Sequence, residues 1–119
     1  MNEKLEEVRV KTSEKDIILR IYFGENDHIK GRPLYEQIVL KARELNLAGA
    51  TVLHGILGFG ADSRMHSSRV LTLSNDLPVV VEIVDKEENI NKILPYIDEN
   101  VTEGLVTMVD VKVIKYRHV

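Results

Sequence analysis

The chain has 119 residues, 44% of them hydrophobic and 29% charged, a balance that fits one globular domain and excludes a disordered chain. Its formal net charge of -3 argues against a dedicated nucleic-acid binder, and 0 Cys excludes disulfides, thiolate zinc sites and a cysteine nucleophile. With 0 Trp and 2 Phe an aromatic platform for single strands is not expected. No apolar run reaches the roughly 18 to 20 residues of a membrane span, and Met1-Asn2-Glu3-Lys4 opens no hydrophobic signal core. A cytoplasmic protein without direct membrane insertion is therefore expected.

In chain order, residues 1–15 form a charged arm carrying Glu3, Lys4, Glu6, Glu7, Arg9, Lys11, Glu14 and Lys15, with Val8 and Val10 the sole hint of an edge strand. Residues 16–119 are read as a single domain. Ile17–Phe23 is an apolar run rich in β-formers and stopped by Gly24, which predicts a buried strand. A polar loop follows, and Pro33 suits the first turn of a helix because its missing N–H would be unpaired there. Leu34, Ile38, Ala42 and Leu45 recur at helical spacing, so an amphipathic helix is expected to end near Asn46. Ala50–His54 reads as a second strand. Leu77–Val84 reads as a third, with Pro78 at its start, where a ladder donor is least missed.

Asp85 is the expected N-cap of a second helix, with Glu87 and Glu88 in its first turn and Ile90, Ile93, Leu94 and Ile97 as its apolar face. Pro95 should kink or end that helix. Leu105–Val109 and Val111–Tyr116 then read as a last strand, with a break near Asp110. The order β-α-β-β-α-β predicts an α+β, ferredoxin-like domain: an antiparallel sheet with two helices on one face. Runs such as Ile17-Ile18-Leu19 and Val79-Val80-Val81 put apolar side chains on both faces, so the uncovered face should be an interface between copies.

The long polar connection between the second and third strands is the anomaly, because a stretch of that length without structure is usually functional. It opens on Gly55-Ile56-Leu57-Gly58-Phe59-Gly60, where glycines let backbone N–H groups approach an anion, or simply make a turn with a bulge. Neither a Walker pattern nor a dinucleotide fingerprint is present. Arg64, His66 and Arg69, mixed with Ser63, Ser67 and Ser68, would suit phosphate oxygens or form an ordinary solvated loop. Lys115, Arg117 and His118 add positive charge after the last strand. His28, His54, His66 and His118 show no metal-ligand spacing, so no metal is expected. No G-x-S-x-G elbow supports a nucleophilic hydrolase.

Gly31-Arg32-Pro33-Leu34-Tyr35-Glu36, Ala48–Val52, Gly55–Gly60, Ser74–Asp85 and Gly104-Leu105-Val106-Thr107 together resemble an uncharacterised family of small PII-like proteins, over about residues 16 to 117. The chain is similar, more distantly, to the PII signalling proteins themselves. Gly58-Phe59-Gly60 matches the base of their long T-loop, Leu77-Pro78 matches the lead into an apolar strand, and Lys115 and Arg117 match two spaced basic residues near the end.

The resemblance implies a homotrimer with sheets facing inward and an adenine nucleotide in each intersubunit cleft. Lys115 and Arg117 would meet phosphates, while Gly58, Phe59, Gly60, Gly104 and Leu105 would wrap the ligand, with Arg64 and His66 nearby. Leu105 stands where PII proteins carry a phosphate-binding lysine, which favours AMP or ADP over ATP. Ala61-Asp62-Ser63-Arg64 replaces the glutamine and lysine that follow the T-loop glycines in PII proteins, and the loop has no counterpart of their uridylylated tyrosine. The expected function is a signalling role, not catalysis, with the Gly58–Asn75 loop shown to a target protein, a membrane transporter or channel being one candidate. The alternatives are a small enzyme acting on a phosphorylated or anionic substrate, with His54 or His66 as acid/base, and a purely structural trimer.

Overall fold

The fold is that of a computed structural model, which describes residues 15–59 and 76–117. The elements are β1 (Asp16–Gly24), β2 (His28–Ile29), β3 (Arg32–Pro33), α1 (Leu34–Glu44), β4 (Thr51–His54), β5 (Pro78–Lys86), α2 (Glu87–Asn100) and β6 (Leu105–Val111). The main sheet has 4 strands in the order β4-β5-β1-β6, and every neighbouring pair is antiparallel. Two helices on one face of this sheet make the α+β, ferredoxin-like architecture that the sequence predicts.

Strict alternation along β1 and β5 divides the two faces. Ile17, Leu19, Ile21 and Phe23 point with Val79, Val81 and Ile83 toward the helices and are buried. Leu34, Ile38 and Ala42 of α1 and Ile90, Ile93 and Ile97 of α2 meet them, completing one core. On the opposite face stand Ile18 and Tyr22 of β1, Val80 and Val84 of β5, and Leu105 and Val109 of β6, the last two 56% and 47% exposed. Among the described residues no helix covers this face. Arg20 and Glu82, register partners, form an ion pair at its centre, Nε to Oε2 2.9 Å.

Four local readings are corrected. Pro33 does not lie in the first helical turn; it is the N-cap residue and belongs to a short β2–β3 hairpin, whose two-residue turn places Lys30 and Gly31 at φ 51° and 79°. Positive φ at both central positions is what a two-residue hairpin needs. Asp85 does not cap α2; that position is Lys86, and Asp85 instead uses its carboxylate on neighbouring donors. Of the two outcomes expected of Pro95, a kink or an end, the end is overturned, since α2 continues to Asn100 with the proline on its exposed side. The last strand is not broken at Asp110. It ends at Val111, opposite Asp16, the first residue of β1, and among the described residues none pairs with 112–117 as a strand on that side.

Helix α1 stops through a paired closure: Asn46 adopts φ 61° and donates its N–H to the Arg43 carbonyl, and Leu47 donates to Ala42, both at 3.0 Å. Asn tolerates the left-handed conformation, and Leu47 buries its side chain against the core. This closure aims the chain into the Ala48–Ala50 connection, exposed at Ala48 and Gly49 and half-buried at Ala50, which becomes one wall of the site below.

Candidate functional site

Two groups of functional candidates sit at opposite ends of β5, separated by roughly 25 Å of extended chain. At one end β1 and β4 finish and β5 and β6 begin. There Gly55 donates its N–H to the Pro78 carbonyl at 2.7 Å, and the Pro78 ring fills the space that side chains at Gly55 and Gly58 would need. A Cβ on Gly55 would lie 2.7 Å from Pro78 Cγ, and one on Gly58 3.2 Å away. These glycines thus have a packing reason independent of any ligand. Gly104, at φ 150°, has one as well, since a Cβ there would come 2.3 Å from the Tyr22 carbonyl oxygen. Ile56, Leu57 and Phe59 are 92%, 74% and 85% exposed, an apolar knuckle standing off the end of the sheet.

A single carboxylate joins both feet of the long connection. Glu25 accepts from the Leu77 N–H at 3.3 Å through one oxygen, and its other oxygen lies 3.5 Å from His54 Nε2. The Glu25 N–H also donates to the Leu77 carbonyl at 2.8 Å, and the Asn26 N–H donates to Asp76 Oδ1 at 3.0 Å. His54 is thereby held by Glu25 on one side and meets the Tyr35 ring edge-on, centroids 5.9 Å apart, on another. Asp27 precedes the small hairpin and His28 begins its first strand, β2, where His28 Nδ1 meets the Asn26 carbonyl.

At the other end of the sheet lies a cavity of about 610 Å³. Its floor is Val84 and the end of β5; its walls are the Ala48–Thr51 connection and the tail residues Val113, Lys115 and Tyr116. Asp16, Glu82 and Asp85 put carboxylates around it and Lys86 and Lys115 put ammonium groups there. The tail reaches it because the chain, having lost its strand partner at Val111, crosses to the α1–β4 connection, where the Tyr116 hydroxyl donates to the Ala48 carbonyl at 3.5 Å. Carboxylates in such a cavity accept N–H donors well, whereas phosphate oxygens need the cations.

Lys115 lines this cavity, while Arg117 lies exposed just beyond it. Gly58, Phe59, Gly104 and Leu105 belong to the opposite end, so one chain by itself does not unite the two sets. Gly60, Arg64, His66, Arg69 and His118 lie outside the described residues. Sequence reasoning passed over the Ala48–Thr51 wall, Glu82 and Asp85. Their signal was weak: a short Ala-Gly-Ala stretch between a helix and a strand, and acids that look like ordinary surface charges.

Among the described residues no helix is long and apolar enough to cross a membrane. A small α+β domain with a bare apolar sheet face and a polar cavity at its end is thus the class the geometry defines. Residues 16–113 match the model of the family DUF190, described as Uncharacterized ACR, COG1993, and the chain belongs to that family. This is the PII-like family that the motifs resemble. It is 39% identical over 100 residues to a UPF0166 protein of Aquifex aeolicus, covering 84% of this chain and 94% of that one. It is also 38% identical over 99 residues to a UPF0166 protein of Methanocaldococcus jannaschii, covering 82% and 91% respectively. The family match stops at residue 113, before Lys115, Tyr116 and Arg117.

Proposed function

We propose that this protein is a homotrimeric, PII-like regulator that binds an adenine nucleotide, AMP or ADP, in clefts between subunits and signals to a partner protein. The observation that carries the reading is the cavity at the tail end of the sheet, lined by Lys115 and lying a strand's length from the Gly58 and Gly104 turns. Chemistry so divided in one chain is joined when one copy's glycine end meets the next copy's cavity end, and such head-to-tail pairing closes a ring of three where the rotation between copies is a third of a turn. The bare face with Ile18, Tyr22, Val84 and Val109 favours assembly, because a face this apolar gains by leaving water.

In this reading the base sits against the Ala48–Thr51 wall of the cavity, and Lys115 and Arg117 take the phosphates. Leu105 leaves one cation fewer, which favours the shorter phosphate chains. Binding would shift a conformational population through contacts made in one state and not the other, and no bond need be made or broken.

Calorimetric titration with AMP, ADP, ATP and cyclic AMP, with and without magnesium, tests the ligand, and light scattering tests the assembly. Saturable binding near one nucleotide per chain, by a particle of about three chain masses, is the expected result. No heat and no thermal shift with any of the four would remove the nucleotide. A monomer mass at micromolar concentration would remove the trimer. Turnover of the nucleotide would replace the regulator with an enzyme.

A further inference from the structure

We propose that Asp85 is a positioning residue of the cavity, holding the Ala48–Thr51 wall in the shape that admits ligand; the proposal rests on the nucleotide reading above. The wall has no secondary structure of its own between Leu47 and Ala50, and Ala48 and Gly49 are exposed. Such a segment keeps its shape only if its backbone is tied. Asp85 Oδ2 accepts the Ala48 N–H at 2.8 Å, from a residue 37 positions away in sequence. The same peptide region is held from its other side, where the Ala48 carbonyl accepts from the Tyr116 hydroxyl. Ala48 is therefore the joint between the end of β5 and the tail that carries Lys115.

The carboxylate is fully engaged. Asp85 Oδ1 accepts the Lys86 N–H at 2.7 Å and an Asn89 Nδ2 hydrogen at 2.9 Å, so three donors share its two oxygens. An amide in its place has one oxygen for those three donors and turns its NH₂ toward another N–H. The first turn of α2, the end of β5 and the cavity wall thus meet on one side chain. Nothing within 4 Å would touch a Cβ on Gly49, so between Leu47 and Ala50, which pack on the core, the exposed Ala48-Gly49 stretch is held by backbone ties such as this one.

The test compares Asp85→Ala with Asn89→Ala in the full chain. Asn89→Ala removes a partner of Asp85 on α2 but leaves the tie to Ala48. Amide hydrogen exchange at Ala48 in the ligand-free protein is expected to quicken at least about tenfold in Asp85→Ala and to stay unchanged in Asn89→Ala. The dissociation constant for ADP is expected to rise about tenfold in the first and to hold in the second, the scale of one hydrogen bond to a charged group. If Asp85→Ala fails to fold, Asp85→Asn gives the same two readings. Unchanged exchange at Ala48 overturns the proposal, as do equal effects of the two variants, which would place the influence in α2. Should the unaltered protein bind no AMP or ADP, the nucleotide reading fails by itself, and exchange at Ala48 still decides whether Asp85 holds the wall.

Discussion

Arg20 and Glu82 face each other across β1 and β5 in the middle of the sheet face opposite α1 and α2, Nε to Oε2 2.9 Å, with side chains 35% and 28% exposed. In water a pair of this kind contributes little, about 0.2 to 1 kcal/mol. Enclosed between subunits it cannot lose one partner cheaply, because the remaining charge stays in a dry place, at a cost of about 3 to 5 kcal/mol. A double-mutant cycle with Arg20→Met and Glu82→Gln therefore reports the surroundings of this face. The expected outcome is that either single variant disperses the assembly while the double variant recovers much of it. Coupling below about 1 kcal/mol, with unchanged mass, would mean that the face stays in water.

Gly104 and Gly49 should respond oppositely to alanine. Gly104→Ala sets a Cβ against the Tyr22 carbonyl at a φ of 150°, so a loss of about 2 to 4 kcal/mol in chemical denaturation is expected. Gly49→Ala meets nothing within 4 Å and should leave stability within about 0.5 kcal/mol, or raise it slightly by stiffening the unfolded chain. Yet it puts a methyl group on the cavity wall. Weaker ADP binding at equal melting temperature is the expected pairing for Gly49→Ala, and equal affinity would show that ligand does not approach that backbone.

Pro95 occupies an exposed position inside α2 and removes an N–H from the middle of the helix. Pro95→Ala restores that donor and a better helix former, and should stabilise the fold by about 1 to 3 kcal/mol. Thermal unfolding measures it directly. A lower melting temperature would mean that the proline is packed to advantage.

The Tyr96 phenol is held above its ordinary range, first by burial and then by the carboxylates of Glu44 and Glu99. An acid whose titration is raised on folding contributes its stability below the unfolded value, and that stability is lost as pH rises through the folded one. Stability should therefore fall from about pH 10 upward, where the unfolded phenol ionises first. Tyr96→Phe should flatten that decline. An identical alkaline profile in the variant would remove Tyr96 as its source.

Much of this architecture was legible because local pattern and fold agree. The apolar run Ile17–Phe23 marks a strand that the structure places in the core, and the Leu34/Ile38/Ala42 and Ile90/Ile93/Ile97 spacings each mark a helix face that it buries. The tail was not. Val113-Ile114-Lys115-Tyr116 alternates as a strand does, but a strand needs a partner, and β1 begins only at Asp16. Asp85 was read from its sequence neighbours as a helix cap; its Ala48 contact, across 37 positions, leaves no local trace. The β2–β3 hairpin had a signal in Lys30-Gly31, a two-residue turn, but its strands are too short to show periodicity. As for the site, Lys115 could be singled out by charge, whereas the wall it faces is made of small residues whose importance comes from backbone.

The Glu25 anchorage at the feet of the long connection also has a thermodynamic consequence. Gly55 is bonded to Pro78 and Glu25 to Leu77, so contacts within the domain bring the two feet together. The entropy of closing such a loop grows only with the logarithm of its length, about 0.6 kcal/mol for each doubling. The segment between the feet is thus nearly free to change in length and composition without endangering the fold. A scaffold of this kind can acquire a new partner by altering that segment while the sheet, the core and the cavity stay as they are.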